Sequence, residues 1–176
     1  MSVKDELVKF GNYVKQQAKS NLTKNKPYRK RDTDKLYNGI KYKVEETGKG
    51  ARIVFSFGGA ENYWNFVDKG VKGFKSSLKA PMSPYKFGSG SGKSGGLTDG
   101  IDGWVKRKRI QFRKKNGQFI SYKSTSFLIM RSIWNKGIKT TNFFTKPFER
   151  AFKRLPDDLY AEFALRVVEN IKVILK

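Results

Sequence analysis

Between residues 40 and 57 the chain alternates apolar and polar side chains twice, with a glycine-bearing break between the two runs, and no other pattern limits its fold as strongly. Ile40, Tyr42 and Val44 alternate with Lys41, Lys43 and Glu45. After Thr47-Gly48-Lys49-Gly50, the residues Ala51, Ile53, Phe55 and Phe57 alternate with Arg52, Val54 and Ser56. Successive side chains of a strand point to opposite faces. Period two on both sides of such a turn therefore predicts an antiparallel hairpin with one aromatic, buried face and one mostly polar face.

Helical spacing appears on both sides of this hairpin. Val3, Leu7, Phe10, Val14, Ala18 and Leu22 recur every three or four residues and predict an amphipathic helix from Val3 to Leu22, with Gly11 weakening its interior. Ala60 to Lys69 reads as a short helix or an irregular turn closed by Gly70. A helix is expected from Leu97 to Lys108, capped by Thr98 or Asp99, with Ile101, Trp104 and Val105 as its stripe. Another runs from Phe127 to about Lys136, capped by Ser124, Thr125 or Ser126 and ended by Gly137; Phe127, Ile129, Met130, Ile133 and Trp134 cover one broad side of it. Thr145 can cap the next helix, with Pro147 early in it and Phe148, Ala151, Phe152 and Leu155 as its apolar face. From Pro156 a last helix carries Leu159, Tyr160, Phe163, Val167, Ile171 and Ile174.

The connectors are basic or rich in glycine. Lys24 to Arg31 is a basic arm broken by Pro27; it suits a contact to phosphate or an acidic partner as well as it suits a solvated connector. Residues about 74–97 hold Pro81, Pro84 and the run from Gly88 to Gly96, a composition that makes flexible coil. Gly92-Lys93-Ser94 copies the tail of a phosphate-binding loop, but the leading glycine would have to stand where Phe87 stands, and no buried strand precedes it, so a flexible loop is the better reading. Residues about 106–122 form a basic hairpin turned at Asn116-Gly117, with Ile110–Arg113 and Gln118–Tyr122 as its arms.

The 176 residues suit one domain. The sequence has no cysteine and no histidine. That excludes disulfides, thiolate metal sites, cysteine nucleophiles and Ser-His-Asp chemistry. Asp99 and Asp102 lie close in sequence but are surrounded by glycine and basic residues, which suits helix capping better than metal ligation. No catalytic residue, cofactor site or metal site is expected, and an enzyme is disfavoured. Lys and Arg number 38 against 15 Asp and Glu, a net charge of +23, so the surface must meet something acidic or repel its own copies. The charged start, Met1-Ser2-Val3-Lys4-Asp5-Glu6, does not look like a signal peptide, and no apolar run nears the ~20 residues of a membrane span. The expectation is a soluble protein, made in the cytoplasm, with no membrane partner.

Three segments carry a resemblance. Tyr63-Trp64-Asn65-Phe66-Val67-Asp68-Lys69-Gly70 resembles a Tyr-Ala-x-x-Val-Glu-x-Gly turn, with Trp64 for the small residue and Asp68 for the Glu. Phe127-Leu128-Ile129-Met130-Arg131-Ser132-Ile133-Trp134-Asn135-Lys136-Gly137-Ile138 is similar to a helix-then-Gly-Ile segment, and Phe143-Phe144-Thr145-Lys146-Pro147-Phe148 to a Pro-Phe entry into the last helices. Their order over residues 34–155 resembles the small neck and tail-completion proteins of tailed bacteriophages, which join the DNA-filled head to the tail. The resemblance implies one α+β head–tail joining domain over 1–176: a small antiparallel twisted sheet packed by N-terminal and C-terminal helices, with the long loop and the basic hairpin. It implies a structural virion protein assembled as a homo-oligomeric ring in the head–tail neck or tail. The ring would meet portal, adaptor or tail proteins, with double-stranded DNA in the channel as a further partner.

On that reading Tyr63, Trp64, Phe66, Asp68 and Gly70 fix the turn, while the 71–97 loop and the 106–122 hairpin contact neighbours. The alternative is a non-specific nucleic-acid binder packaged with or acting on the phage genome. Lys106, Arg107, Lys108, Arg109, Arg113, Lys114 and Lys115 would then contact phosphate.

Overall fold

The computed structural model of the chain describes residues 3–23, 34–47, 50–89 and 96–155. The fold is α+β. Its elements in chain order are α1 (Val3–Thr23), α2 (Lys35–Gly39), β1 (Ile40–Thr47), β2 (Gly50–Phe57), α3 (Trp64–Lys69), α4 (Gly96–Lys108), α5 (Tyr122–Lys136) and α6 (Thr145–Phe152). They belong to two compact units. The first comprises Met1–Trp64 and Asn142–Lys176, and the second Asn65–Thr141. The basic arm at 24–31, the Gly/Ser residues 90–95 and the expected helix after Pro156 lie outside the described residues.

The first unit is built on the hairpin. β1 and β2 pair antiparallel with Ile40 opposite Phe57, Tyr42 opposite Phe55 and Val44 opposite Ile53, so the apolar residues of both runs share one face as the alternation requires. Helix α1 lies on both strands and on α6. Its buried residues, Leu7, Phe10, Gly11, Val14, Ala18 and Leu22, follow the expected stripe with Gly11 added, while Val3 at its start is exposed. Gly11 is part of the contact rather than a weakness in it. A methyl group there would lie 2.5 Å from Cδ2 of Tyr42 and 2.8 Å from Cδ1 of Ile53, so only glycine lets the helix come this close. The Tyr42 hydroxyl then donates to the Val8 carbonyl at 3.3 Å.

Aromatic rings fill the rest of this core. Phe10 meets Phe148 edge to face at 5.3 Å between centroids, and Phe55 meets Phe144 at 5.2 Å. Trp64 stacks flat on Phe57, 4.1 Å away and 9° from parallel. Such pairs contribute about 0.5–1.5 kcal/mol each beyond the area they bury. Thr145 is the first residue of α6 rather than its cap. Phe144 holds the cap position without a side-chain hydrogen bond, and Pro147 falls in the first turn. The entry is set by ring packing of Phe144 against Phe55, Phe57 and Trp64.

In the second unit backbone hydrogen bonds carry much of the order. Val71 and Ile138 exchange both of their N–H···O bonds, at 3.0 and 2.8 Å. On its other side Lys72 donates to Tyr85 O at 2.8 Å and accepts from Phe87 N at 3.0 Å. The N–H groups of Phe74 and Lys75 bond the carbonyls of Trp134 and Asn135, which the end of α5 leaves without helical partners. Of the loop expected over 74–97, residues up to Phe87 are therefore fastened by main-chain bonds.

Three sequence expectations need correction here. Thr98 and Asp99 lie inside the first turn of α4, which begins at Gly96, and the Thr98 hydroxyl faces Met130 Sδ at 3.2 Å. Helix α5 begins at Tyr122, capped by Ser121, whose Oγ accepts the Ser124 N–H at 3.1 Å. That cap removes the end of the expected return strand, and the hairpin keeps a single bridge, Arg113 with Phe119. The apolar side of α5 is only partly covered, with Ile129, Met130 and Ile133 half-buried. Thr125 and Ser126 are its buried residues, while Phe127, Leu128 and Trp134 are 54%, 45% and 40% exposed.

Candidate functional site

The turn residues divide between the two units. In the first, Trp64 is packed as above, and Tyr63 is partly exposed, its phenol pushed up from the ordinary value by burial. In the second, Phe66 packs edge to face on Tyr85 at 4.6 Å, and Asp68 is fully buried. Among the described residues every buried side-chain nitrogen and oxygen has a hydrogen-bond partner.

Helix α3 is short, and its last carbonyls are satisfied from the distant 140–141 segment. The Thr141 hydroxyl donates to Val67 O at 2.6 Å, the Thr141 N–H to Asp68 O at 3.0 Å, and the Thr140 hydroxyl to Lys69 O at 2.8 Å. Gly70 continues the lock with φ 71°. A side chain there would meet the backbone of Ile138 and Thr140 and the methyl of Ala80. The Gly70 carbonyl accepts from Ser83 Oγ at 2.7 Å. Thr140, Thr141 and Ser83 were not singled out by the sequence. The Thr140 and Thr141 hydroxyls serve carbonyls more than seventy residues away and the Ser83 hydroxyl one thirteen residues away, and such contacts leave no local signature.

The basic residues lie on two neighbouring stretches. Lys106, Arg107 and Lys108 form the last turn of α4, where cations favour the negative end of the helix dipole. Arg109 follows with φ 52°. Its N–H bonds Lys106 O and the next N–H, of Ile110, reaches back to Val105 O, a Schellman closure with arginine where glycine is usual. Beyond it the hairpin turns over Lys114 to Gly117, Gly117 standing at φ 82°, closed by Lys114 N to Gln118 O at 2.8 Å. The Arg113 guanidinium lies over the Phe119 ring at 4.2 Å. Fully buried Thr125 anchors this hairpin to α5, its hydroxyl accepting from Phe112 N at 3.3 Å. All seven cations are exposed.

Apolar side chains are also exposed, and most of the large ones are in the second unit: Phe66, Phe74, Leu78, Met82, Phe112, Phe119, Phe127, Leu128, Trp134 and Ile138. Leu78 and Met82 stand out, at 90% and 93%. Among the described residues no group of three or more Asp, Glu, His or Cys gathers in a metal-holding arrangement. No helix of the described residues is long and apolar enough to cross a membrane. No family model, curated protein or solved structure matches the chain.

Proposed function

We propose that this chain is a structural protein of a tailed-bacteriophage virion, forming a homo-oligomeric ring in the head–tail neck or tail-completion region. The observation that carries the reading is the surface of the second unit, where large apolar side chains are held out to solvent on a backbone fixed by hydrogen bonds. Exposed apolar patches of this kind mark protein contacts. The resemblance at residues 63–70, 127–138 and 143–148 supplies the setting. No reaction is assigned to the chain. Its partners are copies of itself and the portal, adaptor or tail proteins on either side, and the cations of α4 and the hairpin face DNA in the channel or an acidic neighbour.

The test is to assemble particles without the chain. Filled heads and separate tails should accumulate and join when the protein is added back. Joined particles forming at the normal rate in its absence would contradict the reading.

The seven exposed cations favour a second reading, a non-specific nucleic-acid binder acting on the phage genome. Affinity should then fall with salt by about 0.9 log unit per log unit for each phosphate contact. Replacing the seven with Gln should flatten that dependence; an unchanged slope would remove them from any DNA contact.

A further inference from the structure

The basic hairpin carries more than charge. Phe112 directly precedes Arg113, Lys114 and Lys115, and Phe119 follows them across the turn. Arg113 and Phe119 are the bridge pair of the hairpin, and the guanidinium lies over the ring. The Phe119 side chain is nevertheless 57% exposed. One face of the ring is thus covered by a cation, and the other is open to solvent.

Hydrogen bonds hold this pair in place. Ile120 N bonds Phe112 O at 2.9 Å, and Gln111 Nε2 donates to Ile120 O at 3.0 Å. Within the turn Asn116 Oδ1 accepts from Gln118 N at 3.2 Å. A ring displayed on a fastened backbone loses little entropy on binding. Stacking leaves the N–H groups at the edge of a guanidinium free to bond phosphate, which suits Arg113 to serve the ring and an anion together.

Charge narrows what can meet this surface. The second unit has 17 Lys and Arg against 3 Asp. Asp68 is fully buried, and Asp99 and Asp102 stand in the first two turns of α4, before its cationic last turn. From Gly103 to Thr141 the chain has no carboxylate at all. The fitting partner is a polyanion that also brings flat apolar faces. Single-stranded nucleic acid alternates phosphates with unpaired bases, and proteins hold it with cations and aromatic rings side by side. A duplex keeps its base faces stacked inside and would use the cations alone. An acidic protein offers carboxylates but no regular series of flat rings.

We infer that the hairpin binds single-stranded nucleic acid, with an unpaired base stacked on the open face of Phe119 and the adjoining phosphates held by Arg113 and its neighbouring lysines. This inference rests on the nucleic-acid reading and names the form of nucleic acid and the ring that selects it.

Anisotropy titrations at matched salt, with a labelled oligothymidylate and with a duplex carrying the same number of phosphates, test it. Phe119→Leu keeps apolar bulk but removes the flat ring. It should lower the ratio of single-strand to duplex affinity about fivefold or more, with an unchanged circular-dichroism spectrum. Phe119→Trp should keep the ratio, and the fluorescence it adds to that of the three native tryptophans should be quenched by the oligothymidylate. A ratio unmoved by Phe119→Leu, or no added quenching in Phe119→Trp, would overturn the inference while both DNAs still bind and the nucleic-acid reading stands. Polyglutamate displacing the oligothymidylate at equal charge concentration would overturn it in favour of an acidic protein partner. Binding to neither DNA at physiological salt would overturn the inference and the nucleic-acid reading together.

Discussion

Gly70 and Gly59 both have positive φ, 71° and 79°, but only one of them is hemmed in. An added methyl at Gly59 meets nothing within 4 Å, while at Gly70 it would lie 2.7 Å from Thr140 N and 2.9 Å from Ala80 Cβ. Gly59→Ala should therefore cost only the left-handed penalty, about 1–2 kcal/mol. Gly70→Ala should cost clearly more, about 3 kcal/mol or above, because backbone has to move. Urea melts of the two variants check this, and equal losses would mean that the 138–140 segment does not press on Gly70. Thr141→Val tests the same lock from the other side. It removes the hydroxyl that serves Val67 O at 2.6 Å, and the expected loss is about 1–3 kcal/mol.

The hairpin shows how side-chain pairs tune an element whose register is already set. Arg52 Nε donates to Glu45 Oε2 at 2.7 Å across the strands, and Lys43 adds a second ion pair to the same carboxylate. Arg52 first and Lys43 second hold the Glu45 carboxyl below its ordinary value of 4.5. Lys4 does the same for Glu46. A carboxylate with a depressed folded pKa stabilises fully above its unfolded value and loses that contribution as pH falls through the folded one. Glu45→Gln should thus melt slightly below the parent at pH 7, and the gap should close as the pH is taken progressively below 4.5. A constant gap down to strong acid would show that the ion pairs do not contribute.

Elements with one local cause were legible in the sequence. The β1–β2 register follows from period two, α1 from its stripe, and the end of α5 from Gly137, whose N–H bonds Ile133 O at 2.7 Å. The misreadings fall where a cap or the covering of a face decides rather than spacing. Ser121 read as strand, whereas its hydroxyl caps α5, and spacing identified the apolar side of α5 but not that Phe127 and Trp134 on it are exposed. The seven cations of the candidate site were legible as a charge run. The Leu78–Met82 loop was not, since its exposure depends on hydrogen bonds to Gly70, Gly137 and Thr140.

For the whole molecule the governing quantity is the charge of +23. Copies of so basic a chain repel one another unless contacts bring in carboxylates or a polyanion lies close by. A ring around DNA meets both conditions, with the second unit's cations toward phosphate or toward the next copy's acidic groups. The most direct test of this account is cryo-electron microscopy of the assembled particle with the chain located in the density. The account predicts a closed symmetric ring between head and tail. The chain found inside the head without fixed symmetry, or missing from the particle, would contradict it.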